Sequence, residues 1–192
     1  MTKRLFEIHF IPTTILLRFA AALVVCWMCA ASPMQGQTAP KVQVFAGYSY
    51  LRFESTTIGF TNVSNLNGWN FSPAYNFTKH FGIAADASGH YGNHQRIYSF
   101  LVGPQILYPK GNGLFFGHLL FGKGEDKVRV GLGGSSNGRA VVFGVGYDHV
   151  FTEHFAFRVV QADYLSTKTF GASQNNLRVS TGLLYHWGER KK

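Results

Sequence analysis

Past residue 29 the chain contains no cysteine: Cys26 and Cys29 both sit in an N-terminal apolar run. If that run is removed, disulfides, thiolate metal sites and a cysteine nucleophile are all excluded. Charge is also scarce. Asp, Glu, Lys and Arg make up 14% of the 192 residues, where a soluble globular domain carries about 25%. After the N-terminal run no stretch approaches the roughly 20 apolar residues of a spanning helix. Any crossing of a membrane must then be made by strands. No compact basic run occurs except Arg190-Lys191-Lys192, and no nucleic-acid motif accompanies it, so nucleic acid is not an expected partner. Gly131-Leu132-Gly133-Gly134 lacks the lysine of a phosphate loop. What is plentiful is aromatic side chains, 16%, and glycine, 22 residues.

The first forty residues read as an address. Lys3 and Arg4 precede the apolar core Phe19 to Ala31, which has the length of a signal-peptide core and is short for a transmembrane helix. Cleavage is expected between about residues 30 and 37, after Ser32 or after Gly36. An uncleaved anchor would have to bury Arg18 at a cost of about 2.5–3.5 kcal/mol. The expected organisation is a signal peptide over 1–36 and one domain over 37–192. Removing residues 1–36 takes away three basic and one acidic residue, which leaves 15 basic against 8 acidic, a net +7.

From residue 40 one pattern recurs. Runs of about ten residues alternate large apolar with small or polar residues, and turn chemistry separates them, as in strands of a transmembrane barrel. In Gly68–Phe77 the residues Trp69, Phe71, Pro73, Tyr75 and Phe77 share one face; Gly68, Asn70, Ser72, Ala74 and Asn76 share the other. The next run sets Phe81, Ile83, Ala85, Ala87 and Tyr91 against Asp86, Ser88 and His90. Tyr98, Phe100, Val102, Pro104, Ile106 and Tyr108 follow in the same manner. The last run opposes Leu177, Val179, Thr181, Leu183, Tyr185 and Trp187 to Asn176, Arg178, Ser180, Gly182 and His186. With Lys41–Phe53, Leu114–Lys123, Arg139–Asp148 and Phe155–Leu165 the count reaches eight. Pro73 and Pro104 predict local breaks in the ladder.

The expected fold is all-β, an eight-stranded antiparallel up-and-down barrel. Thr78–His80, Pro109–Gly113 and His149–His154 are the expected periplasmic turns. Glu54–Asn67, Asn93–Gln95, Gly124–Gly138 and Ser166–Asn175 are the expected outer loops. Trp69, Phe71, Tyr75, Phe77, Phe81, Ile83, Tyr98, Phe100, Val102, Leu177, Val179, Leu183 and Tyr185 are expected to face lipid. Asp86, His90, Arg158, Arg178 and His186 are expected inside, with Asp86 pairing to Arg158 or Arg178, because a buried charge demands a partner. Run Phe155–Leu165 is irregular: simple alternation puts Gln161 and Asp163 on the lipid face. Either a bulge shifts the register after Val160, or Asp163 lies above the hydrocarbon.

Several segments resemble the outer-membrane β-barrel domain of the outer-membrane protein A and opacity-protein superfamily. They are Tyr48-Ser49-Tyr50-Leu51-Arg52-Phe53, Gly68-Trp69-Asn70, Phe116 to Gly122, Arg158 to Leu165, and Arg178 to Trp187. The resemblance covers Lys41 to Gly188. It implies an outer-membrane location, contact with outer-membrane lipids and a role in envelope structure or surface contact. It also implies recognition of a terminal aromatic by the barrel-assembly machinery. Trp187 with Tyr185 would serve there, although five residues follow.

No cofactor or metal is expected: His90 and His94 have helical rather than strand-tip spacing. An enzyme is not expected either. Asp86, Ser88 and His90 share one face, but neighbours at spacing two lie about 7 Å apart, too far for a hydrogen-bonded triad. The competing readings are a lipid-modifying barrel enzyme and a soluble periplasmic barrel that binds a hydrophobic ligand. A surface ligand, if there is one, is not named by the sequence.

Overall fold

The computed structural model describes residues 39–53, 64–92, 95–128, 134–169 and 172–188. The expected signal peptide and the segment 54–63, which is most of the expected loop Glu54–Asn67, lie outside them. Eight strands follow one another: β1 Val42–Phe53, β2 Ser64–Asn76, β3 Phe81–Tyr91, β4 Gln95–Lys110, β5 Gly113–Val128, β6 Gly134–Val150, β7 Phe155–Thr169 and β8 Ala172–Trp187. Each pairs antiparallel with its sequence neighbour, and β1 closes on β8 through the register Val42↔Trp187 to Arg52↔Leu177. Closure leaves no row of unpaired backbone groups, the condition for a sheet in hydrocarbon.

The strands extend beyond the apolar alternation. Gly124–Gly138, expected as a loop, contains the paired ends of β5 and β6, with Glu125↔Asn137 and Asp126↔Ser136 in register. Ser166↔Asn175 and Thr167↔Gln174 likewise continue β7 and β8 through the expected loop Ser166–Asn175. Ser64–Asn67 belongs to β2 and Gln95 to β4. Strands of up to 17 residues exceed the roughly 9–11 a bilayer requires. The surplus lies at the end away from the turns. In the outer part of β5 both faces are polar, with Lys123, Glu125 and Lys127 on one and Asp126 on the other, so hydrophobic patterning stops while the hydrogen-bond ladder continues.

The opposite end is built from tight turns. Gly111-Asn112 joins β4 to β5, with Gly111 at φ 57°, a left-handed conformation open to glycine. The expected turns Pro109–Gly113 and His149–His154 are therefore narrower, since their flanking residues pair in strands. The other two turns are copies of each other. In Phe77-Thr78-Lys79-His80-Phe81, Thr78 Oγ1 accepts from the Phe81 amide at 2.9 Å and the His80 amide at 3.2 Å. In Phe151-Thr152-Glu153-His154-Phe155, Thr152 Oγ1 accepts from the Phe155 amide at 3.0 Å and the His154 amide at 3.4 Å. The carbonyls of His80 and His154 then accept from the amides of Leu107 and His186 in neighbouring strands.

Both prolines interrupt pairing without moving the register. The β2–β3 ladder skips from Phe71↔Ala87 to Ala74↔Ala84. Ser72 Oγ donates at 2.7 Å to the Ala85 carbonyl, the group opposite Pro73 that proline has no N–H to serve. The β4–β5 ladder skips from Val102↔Phe121 to Gln105↔His118 around Pro104.

Among the described residues one true shift occurs, in β7. Asp148↔Arg158 and Tyr147↔Val160 leave Val159 as an extra residue. Val159 and Val160 both point outward, and Thr181 Oγ1 ties the bulge by donating to the Arg158 carbonyl at 2.9 Å. Of the two readings left open for this strand, the bulge is the one the chain adopts. Arg158, Gln161 and Asp163 all turn inward as a result.

Candidate functional site: the charged interior and the apolar exterior

The distribution of side chains is inverted relative to a soluble barrel. Trp69, Phe71, Tyr75, Phe77, Phe81, Ile83, Phe100, Val102, Leu177, Val179, Leu183, Tyr185 and Trp187 are all exposed on the outer face, with Phe100 at 64% and Leu183 at 62%. Tyr98 is half-buried there. Trp69 lies across the bare backbone of Gly89 on β3, where an added Cβ would come within 2.8 Å of the indole Nε1. Large cross-strand rings cover glycines in this way elsewhere in sheets.

Asp86, His90, Arg158, Arg178 and His186 are buried inside. The structure joins four of them to residues that the sequence reading did not name as their partners. Arg178 is the hub. It donates to Asp86 at 2.8 and 3.1 Å, to Asp163 at 2.7 Å and to Ser88 Oγ at 3.0 Å. Asp86 also accepts from Asn70 Nδ2 at 2.7 Å. Asp163 accepts from Gln161 Nε2 at 2.7 Å and lies 2.9 Å from His118 Nε2. Gly144 makes room for this contact, because a Cβ there would strike both Asp163 Oδ1 and His118 Nε2.

Arg158 forms the second centre. Its guanidinium makes a fork to Asp148 at 2.7 and 3.0 Å and donates to Gln161 Oε1. It lies between the rings of Phe45 and Phe116, with Cζ 4.4 and 4.0 Å from their centroids. Gln161 bonds both centres, so Asp86, Arg178, Asp163, Gln161, Arg158 and Asp148 form one continuous chain. Asp86 thus takes Arg178, while Arg158 takes Asp148.

His90 stands apart from this chain. Its Nε2 is 2.9 Å from Ser49 Oγ, which accepts from Ser180 Oγ at 2.9 Å. Among the described residues, His186 Nε2 and Gln43 Oε1, on cross-strand partners, have no hydrogen-bond partner. Asp86, Ser88 and His90 do not assemble a triad: Asp86 and Ser88 bond Arg178, and Ser88 Oγ lies 2.7 Å from Ser99 Oγ.

Apolar layers lie on both sides of the charges. Toward the turns, Phe45, Val150, Ala156 and Leu184 pack together, as do Leu107, Leu114 and Phe116. Toward the long ends, Leu51, Leu66, Ile97, Leu101, Leu120, Val142 and Leu165 form another cluster. Among the described residues no group of three or more His, Cys, Asp or Glu is placed to hold a metal ion.

A family model described as the outer membrane protein beta-barrel domain matches residues 20–185. No curated protein matches the chain. Among solved structures, Neisserial surface protein A is similar at 12% identity and a TM-score of 0.62, over 77% of this chain and 97% of that one. Ail, the attachment invasion locus protein of Yersinia pestis, is similar at 18% identity and a TM-score of 0.53, over 76% of this chain and 98% of that one. Ail in complex with the heparin analogue sucrose octasulfate gives a TM-score of 0.52 at 18% identity, over 74% of this chain and 97% of that one. At these identities the likeness concerns the fold.

Proposed function

The chain belongs to the outer membrane protein beta-barrel domain family, and from that premise we propose that it is a structural or surface-contact barrel of the outer membrane, without an open pore and without catalytic activity. The inverted side-chain distribution carries this reading. Apolar rings on the exposed face suit hydrocarbon, and the buried charges suit a lumen closed to lipid. Eight strands close around an interior that side chains fill, and among the described residues the interior here holds two arginines, four aspartates and apolar layers. The short turns face the periplasm and the extended strand ends reach past the outer leaflet, where a contact surface would stand. Both structural neighbours carry surface or attachment in their names, which agrees with such a role.

Tyr185 and Trp187, on the outward face at the periplasmic end of β8, are the side chains offered to the assembly machinery. A lipid-modifying enzyme finds little support. The Ser49–His90 contact is buried within the barrel, with relative exposures of 0% and 1%, out of reach of a lipid substrate. A soluble periplasmic barrel would have to leave Phe100 and Leu183 in water.

The test is paired. The purified barrel should show heat-modifiable gel mobility in detergent and give no unitary conductance steps in planar bilayers. Discrete channels of stable conductance would refute the sealed interior, and extraction without any amphiphile would refute the membrane reading.

A further inference from the structure

The outer flank of strands β4 to β6 carries two pairs of like charges directly opposite each other. Arg96 faces Lys127, and Lys123 faces Arg139. Like charges in directly opposed positions destabilise a sheet, so their repetition on one flank calls for an anion. Glu125 supplies part of it by bonding Lys127 at 3.0 Å. Lys127 and Arg96 also rest near the rings of Tyr98 and Tyr91, at 5.7 and 5.9 Å. Lys123 and Arg139 have neither support: among the described residues no carboxylate pairs with them. Lys123, Lys127 and Arg139 are exposed, and Arg96 is half-buried.

Their height on the strand says what the anion is. Lys123 and Arg139 stand two residues beyond Phe121 and Val141, so they share the outward face with them. Phe121, Val141 and Phe143 form an exposed apolar wall below, and Phe100 is the register partner of Lys123. A free anion would gain nothing from that wall. An amphiphile with phosphate above and acyl chains below meets both.

We propose that Lys123 and Arg139 bind the phosphate of an outer-leaflet glycolipid headgroup, whose acyl chains lie along Phe121, Val141 and Phe143. The site is one-sided. At the same height β1 and β2 present Tyr50, Arg52, Asn65 and Asn67 outward, with Arg52 as the one cation. This inference rests on the outward face being the lipid face.

Native mass spectrometry of the detergent-purified barrel tests it, with phosphorylated lipid A and its dephosphorylated form of the same acyl chains as probes. The phosphorylated form should bind about tenfold tighter. That preference should vanish in the K123Q/R139Q double variant. It should persist in R139K, which keeps the charge, and in R52Q, which removes one positive charge elsewhere. Equal binding of the two lipids would overturn the proposal, as would equal loss of preference in R52Q. Displacement of the lipid by millimolar inorganic phosphate would show an ion site in place of a lipid site. Retention of neither lipid by the wild-type barrel would count against the membrane reading itself. Heat-modifiable mobility of each variant confirms that it is folded.

Discussion

Replacing Arg178 should be far more damaging than replacing either of its partners, although every one of these side chains is buried. Arg178 lies between Asp86 and Asp163 and donates to both. The interior chain holds Arg158 and Arg178 against Asp86, Asp148 and Asp163. R178M leaves Asp86 and Asp163 without their guanidinium. Breaking a buried pair by removing one member costs about 3–5 kcal/mol, and here two carboxylates lose the same partner, so the upper end is expected. D86N instead leaves Arg178 with Asp163 and Ser88, and Asn70 beside a neutral amide. Its cost should be about 1.5–3 kcal/mol, the worth of a hydrogen bond to a charged group. Urea unfolding in lipid vesicles, followed by tryptophan fluorescence and by gel mobility, would measure both. The D86N/D163N/R178M triple variant, with no charge left at the hub, should recover most of the loss in R178M. D86N as damaging as R178M, or a triple variant no better than R178M, would refute the reasoning.

Two further outcomes follow from local packing. G144A should destabilise the barrel by about 1–3 kcal/mol, because the new methyl displaces the contact between Asp163 and His118; the same urea titration reads it, and a neutral effect would mean the pair is free to move. T78V and T152V each remove a hydroxyl acceptor for the amide of the first residue of the next strand. Each should cost about 1 kcal/mol, and because the turns share no partner the double variant should show the sum.

The alternation of side chains made most of the barrel legible. It told which residues point out and which point in wherever a strand crosses the apolar band. It failed where that band ends. The outer parts of β5 and β6 carry Lys123, Glu125 and Lys127 opposite Arg139 and Asn137, and with both faces polar nothing distinguishes strand from loop. The β7 bulge was half legible. The cost of putting Asp163 in lipid signalled a register change, but alternation does not say that Val159 is the extra residue. The hub was also half legible. Asp86 needed an arginine, but its bond to Arg178, 92 positions away, depends on closure of the barrel, and Asp163 turns inward to Arg178 only because of that same bulge. The signal overlooked was a repeat. Phe-Thr-Lys-His-Phe at Phe77–Phe81 and Phe-Thr-Glu-His-Phe at Phe151–Phe155 mark two turns with the same hydrogen bonds.

The lipid-facing exterior can be tested residue by residue, because the barrel has no cysteine of its own to mask. Single cysteines at positions 141 to 145 of β6, each carrying a nitroxide label in reconstituted vesicles, would report collisions with dissolved oxygen and with a water-soluble nickel reagent. Labels at Val141, Phe143 and Val145 should collide with oxygen and be shielded from nickel, and those at Val142 and Gly144 should be shielded from both. Nickel collisions at Phe143 equal to those of a label in water, or a profile with no period of two, would contradict a barrel whose apolar face is solvated by lipid.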